Sequence, residues 1–157
     1  MNVFRMFSMM NGRRVESISS DEIPLDDIMQ NSVRGKPDVG ALASIDGRKL
    51  AVLAWYYHDD DVSGPDAAVD MTLRHLPLAN GEGRMTQYRI DQTHSNAFML
   101  WKSMGSPTAP NGRQYAELVK AGQLSAEPAV PLSVKDGSAA VRFTLPRQGV
   151  YLFVLEM

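Results

Sequence analysis

The chain predicts a mainly β fold, an antiparallel β-sandwich, on three observations. Seven or more short strand patterns recur with turn signals between them. One of them, residues 49–58, is nearly continuous in apolar residues, as expected of a central strand covered on both faces. Helical spacing is confined to residues 2–10, a short turn at 24–30 and a two-helix excursion near 93–122.

Each element has a local cause. In residues 2–10, Val3, Phe4, Met6, Phe7 and Met10 cover most of a helix circumference, and Asn11-Gly12 stops the helix. So short and apolar a helix is not stable alone and must pack on something large. Residues 13–20 read as a strand. Ser19–Asp21 offers caps for a turn at 24–30, where Leu25, Ile28 and Met29 are helically spaced. Asp46-Gly47 between two apolar runs predicts a hairpin of 39–45 with 49–58. Residues 59–66 form a loop around Ser63-Gly64-Pro65. Residues 67–76 alternate, with Val69, Met71, Leu73 and His75 on the inward face. A turn at 78–83 leads to a strand at 84–90.

Asp91 or Thr93 then caps a helix through 96–104, with Phe98, Leu100, Trp101 and Met104 as its apolar stripe. Gly105 ends it, and Pro107 and Pro110 prevent its resumption. Asn111 or Gly112 starts a second helix with Tyr115, Leu118, Val119 and Leu124 inward. The last strands are 132–134, 139–145 and 149–155, separated by Asp136-Gly137 and residues 146–148.

Composition narrows the function classes. An apolar content of 44% supplies a core for a single domain. A net charge of -2 without a Lys/Arg cluster argues against nucleic acid and anionic membrane as partners. The absence of cysteine removes disulfides, thiolate catalysis and thiolate metal sites. No apolar run approaches the ~20 residues of a membrane span. Arg5 interrupts the first apolar stretch and no small-residue cleavage site follows, so no signal peptide is read and a cytoplasmic location is expected.

Four constellations invite chemistry. Acid–base chemistry by paired carboxyl groups takes two of them close together, one kept protonated by burial. Glu16, Glu22, Glu82, Glu117, Glu127 and Glu156 all read as solvated surface groups, so no catalytic residue is assigned. His58-Asp59-Asp60-Asp61 is the densest polar cluster, and Asp59 and Asp61 with Gly64 and Asp66 suggest a hard cation. Their spacing fits no established loop, so no metal and no cofactor are expected. Asp91, His94, Ser95 and Asn96 suggest a nucleophile and base. Neighbouring residues at a helix start diverge by about 100°, which makes capping and packing the better reading. Trp55 and Tyr57 share one strand face, and sugars stack on exposed aromatic faces. Trp55, Tyr57, His58 and Asp60 are the substrate-binding candidates. The 10 methionines suggest an adaptable contact surface.

Residues 89–110 (RIDQTHSNAFMLWKSMGSPTAP) resemble a segment near the C-terminus of glycoside hydrolase family 39, the family of β-xylosidases and α-L-iduronidase. The likeness is closest to the bacterial β-xylosidases. It extends to 3–10 (VFRMFSMM), 37–44 (PDVGALAS), 55–65 (WYYHDDDVSGP), 115–124 (YAELVKAGQL) and 143–156 (FTLPRQGVYLFVLE). The resemblance implies that 1–12 is a remnant of the last barrel helix and 13–157 an accessory β-sandwich with a helical insertion at 91–125. It implies a catalytic barrel of the same enzyme as partner, with its glutamates outside this chain. The whole enzyme would hydrolyse xylo-oligosaccharides with retention and without metal. The alternatives are a stand-alone carbohydrate-binding module that takes xylo-oligosaccharide, and an oligomerisation or interaction module that forms homo-oligomers.

Overall fold

The computed structural model describes residues 2–60 and 62–157, and its architecture is the expected open antiparallel sandwich. The elements in chain order are α1 (Asn2–Phe7), β1 (Arg13–Val15), α2 (Leu25–Asn31), β2 (Asp38–Asp46), β3 (Lys49–Tyr57), β4 (Ala67–Leu73), β5 (Gly81–Ile90), α3 (Ala97–Ser103), α4 (Gly112–Ala121), β6 (Val130–Val134), β7 (Ala139–Leu145) and β8 (Val150–Glu156). Six strands form one sheet in the order β1-β2-β3-β8-β5-β6, and β4 and β7 pair as a second sheet.

The hairpin of β2 and β3 turns at Asp46-Gly47, with Gly47 at φ 56, the left-handed conformation that glycine adopts without strain. The centre of the large sheet is buried on both faces. On the inner face Leu50, Val52, Ala54 and Tyr56 of β3 join Tyr151, Phe153 and Leu155 of β8 against Ala139, Val141 and Leu145 of β7. On the outer face Ala51, Leu53, Leu152 and Val154 meet Met6 of α1, which is fully buried. Alternation of side chains along each strand produces both layers from one apolar run.

Several boundaries differ from the sequence reading, each for a local reason. The first helix closes at Phe7, and Met9 and Met10 continue as turn bonded to Met6 and Phe7 carbonyls. The strand expected at 13–20 stops at Val15. Beyond it the Ser17 and Ser19 hydroxyls donate to the Ala41 and Val39 carbonyls, replacing ladder bonds with side-chain bonds. The turn at 24–30 is helix α2, which starts at Pro24 without a side-chain cap, so Ser19–Asp21 caps nothing there. β4 ends at Leu73. His75 sits at φ 55 and is exposed, so the inward placement expected for it is corrected. β5 begins at Gly81, inside the expected turn, because β6 pairs with it from Val130 onward.

The helical excursion is capped at both helices and only partly buried. Neither Asp91 nor Thr93 caps α3. Asn96 does, accepting from the N–H groups of Phe98 and Met99. Asn111 and Gln114 form a reciprocal capping box on α4. Phe98, Tyr115 and Val119, expected inward, are 55%, 64% and 46% exposed. Trp101 stacks on Phe98 and donates Nε1–H to the Pro107 carbonyl.

Candidate functional site

Two polar clusters gather at one end of the six-stranded sheet. Register places Trp55 beside Val150 and Val150 beside Ile90, so the C-terminal ends of β3 and β5 lie side by side across β8. The first cluster follows β3 and the second follows β5.

Trp55 lies on the outer face with its ring against Gly40 of β2. A Cβ at Gly40 would collide with the indole, so only glycine admits this ring position. The indole Nε1–H donates to Asp38 Oδ2 at 2.6 Å, while Asp38 Oδ1 accepts from the Ile23 N–H at 2.7 Å. Tyr57, two residues on, is 46% exposed. Its hydroxyl is pushed above the usual range by a hydrogen bond to Asp59, then by the charge of Asp59 and by burial.

His58 is buried, and both ring nitrogens are occupied. Nδ1 accepts from the Asp60 N–H at 3.0 Å, and Nε2–H donates to the Arg34 carbonyl at 3.1 Å. Asp59 accepts from the Val33 N–H at 3.0 Å, and Arg34 approaches Asp59 and Asp60 at 3.7 and 4.0 Å. These groups tie the 58–60 bend to residues 33–34. Asp61 lies outside the described residues. Among the described residues no group of three His, Asp or Glu side chains converges as a metal site would.

The second cluster is built on Asp91. Its carboxylate is 7% exposed and accepts from the Thr93 N–H and hydroxyl, the His94 N–H and Nδ1–H, and the Tyr151 hydroxyl. Burial alone would raise Asp91. The bonds from Thr93, His94 and Tyr151 outweigh it and hold Asp91 below its ordinary value. Tyr151 is pushed up to about 12 by burial and by the Asp91 charge and hydrogen bond. Arg89 donates to His94 Nε2 at 2.8 Å and to Glu127 at 2.7 Å. Burial lowers Arg89, but the Glu127 bond and charge leave it raised.

The Nε2 lone pair of His94 is taken by Arg89, so the imidazole has no free basic nitrogen. The Ser95 carbonyl accepts from Asn2 of α1, which also bonds the Gly122 carbonyl and so joins α1 to both ends of the excursion. Glu127 is half-buried and ion-paired, which corrects its reading as a free surface group.

Glu82 and Glu156 border one open depression with Gly83, Arg84, Val130 and Pro131. Both glutamates are exposed, unlike the enclosed acid of a glycosidase. A second shallow hollow carries Arg89 and Glu127, which are already paired.

No family profile matches the chain, and no curated protein does. Solved structures do. A family 39 glycoside hydrolase from Xanthomonas axonopodis pv. citri superposes with a TM-score of 0.73 at 20% identity, over 99% of this chain and 29% of that one. A monomeric β-xylosidase from Caulobacter crescentus gives 0.60 at 23% identity, over 80% and 28%. A bacterial orthologue of human α-L-iduronidase gives 0.58 at 19% identity, over 85% and 23%. No helix among the described residues is long and apolar enough to cross a membrane. The chain carries the fold of a segment of family 39 glycoside hydrolases, as the sequence resemblance implied, and spans 29% or less of these three matched chains.

Proposed function

We propose that these residues are the non-catalytic accessory β-sandwich of a longer glycosidase of the β-xylosidase kind. The observation that carries the proposal is the asymmetry of coverage: nearly all of this chain lies on 29% of a family 39 enzyme. The site chemistry supports it: the buried carboxylates Asp38 and Asp91 both have their partners within this chain, and His94 is held between Asp91 and Arg89. The exposed apolar side chains support it too. Phe4 and Phe7 of α1 are 67% and 44% exposed beside a fully buried Met6, so α1 has one face on the sheet and one face open. A catalytic barrel seated on α1 would cover that open face. The parent enzyme would cleave xylo-oligosaccharides in xylan breakdown. Sequencing the DNA upstream tests this directly. An in-frame segment encoding alternating barrel strands and helices is expected, and in-frame stops just before Met1 in the native gene would overturn it.

A second reading is a sugar-binding module, favoured by exposed Tyr57 beside Trp55 on the outer face. It predicts calorimetric binding of xylo-oligosaccharide that Tyr57→Ala abolishes with the fold intact. Flat titrations end it.

A further inference from the structure

Asparagine precedes glycine at Asn11-Gly12, Asn80-Gly81 and Asn111-Gly112. That pairing carries a chemistry of its own. The backbone nitrogen that follows an asparagine can attack the side-chain Cγ, and glycine, without a Cβ, hinders the approach least. The attack needs an amide side chain free to turn over its own backbone. It also needs a following N–H that no hydrogen bond holds.

All three asparagines are exposed, so exposure does not separate them. Hydrogen bonding does. Asn111 Oδ1 accepts from the Gln114 N–H at 3.0 Å, the Asn111 N–H donates to Gln114 Oε1 at 3.0 Å, and Gly112 opens α4. Asn80 Oδ1 accepts from the Asp136 N–H at 3.1 Å, and Gly81 lies in the β5–β6 ladder opposite Val134. Among the described residues nothing bonds the Asn11 side chain or the Gly12 N–H. Glycine at 12 is nevertheless fixed by the fold. Its φ is 80, and a Cβ there would collide with the Ile45 carbonyl oxygen.

We propose that Asn11 is a site of spontaneous deamidation. The Gly12 nitrogen gives up its proton and bonds to Asn11 Cγ. The Cγ–Nδ2 bond breaks, and the departing nitrogen takes that proton and leaves as ammonia. A five-membered succinimide remains. Water then adds at one of its two carbonyls and opens the ring, giving aspartate or isoaspartate at 11. Opening at the backbone carbonyl routes the main chain through the side-chain carbons and lengthens it by one methylene. Asn11 and Gly12 are the whole joint between Met10, bonded to the Phe7 carbonyl, and Arg13, paired with Ile45. The added carbon and carboxylate therefore fall between α1 and the sheet edge. This chemistry belongs to the joint itself and is independent of the accessory-domain reading.

Peptide mapping by mass spectrometry tests it, on the 157-residue chain aged in mildly alkaline buffer, folded or unfolded in urea. In the folded chain Asn11 should convert about tenfold faster than Asn80 or Asn111, since each of those must first give up a hydrogen bond. In urea the three rates should come together. Isoaspartate should exceed aspartate at 11, and the rate should rise with pH as the attacking nitrogen sheds its proton. Equal rates at the three sites of the folded chain overturn the proposal. So does an Asn11 that stays intact, or aspartate formed there without isoaspartate. Hydrogen exchange at β1 should be faster in the isoaspartyl chain than in Asn11→Asp, which carries the same charge on an unlengthened backbone. Equal exchange in the two would refute the effect on the joint.

Discussion

Asp91 ties the turn that follows β5 to β8 through its buried carboxylate. It accepts from three residues of two elements, and its loss would leave the Tyr151 hydroxyl and the His94 ring without their acceptor. Asp91→Asn should lower unfolding free energy by about 2–3 kcal/mol near neutral pH, measured by urea titration. Because the folded Asp91 sits below its ordinary value, its contribution is present above the unfolded carboxylate value of about 3.9 and lost as pH falls through the lower folded value. Wild-type and Asp91→Asn stabilities should therefore converge in acid. A second residue-scale test is Gly40→Ala, which pushes the Trp55 ring off β2 and breaks its bond to Asp38. A loss of about 1–3 kcal/mol is expected, with a shift in tryptophan emission. A variant as stable as wild type would show that the ring has room to move. The sequence marked Asp91 and Trp55 as notable but not their roles. Whether Asp91 caps a helix or closes a turn depends on the backbone of 93–96, where Ser95 takes φ 53 and Asn96 becomes the cap.

At the level of elements, the legible parts were those with an unambiguous period. β3 and β8 are apolar runs with one fate, a central strand, and the Asp46-Gly47 turn fixed the hairpin register between β2 and β3. β1 and the start of β5 were misjudged because pairing partners decide where a strand ends, and those partners are distant in sequence. The stripe on α3 and α4 was legible as a pattern, but a stripe does not say what covers it. Phe98, Tyr115 and Val119 match the period and remain exposed. α1 shows the opposite case, with a single buried anchor. Met6→Ala empties a fully enclosed site on the outer face and should cost about 2–5 kcal/mol. Hydrogen exchange should then quicken at α1 and at the outer ends of the 91–96 turn, to which Asn2 is tied. Unchanged exchange there would mean that α1 is held by something other than Met6.

For the molecule as a whole, the sandwich is asymmetric: six strands against two, with a helix on the outer face that is half covered and a helix pair without a buried residue. Exposed apolar groups stand on α1, α3 and α4, and also at Ile18 and on α2 at Leu25 and Met29. Among the described residues its two polar clusters, around His58 and on Asp91, are closed by hydrogen bonds within the chain. The fold class was readable from the residues, in short apolar runs punctuated by turn signals.

The most direct measurement is hydrolysis of an aryl β-xyloside by the purified chain, freed of host xylosidase by two orthogonal separations. The account predicts a rate indistinguishable from buffer at every pH. Steady turnover that follows the protein through both separations, and that falls when Glu82 and Glu156 are each changed to Gln, would contradict it.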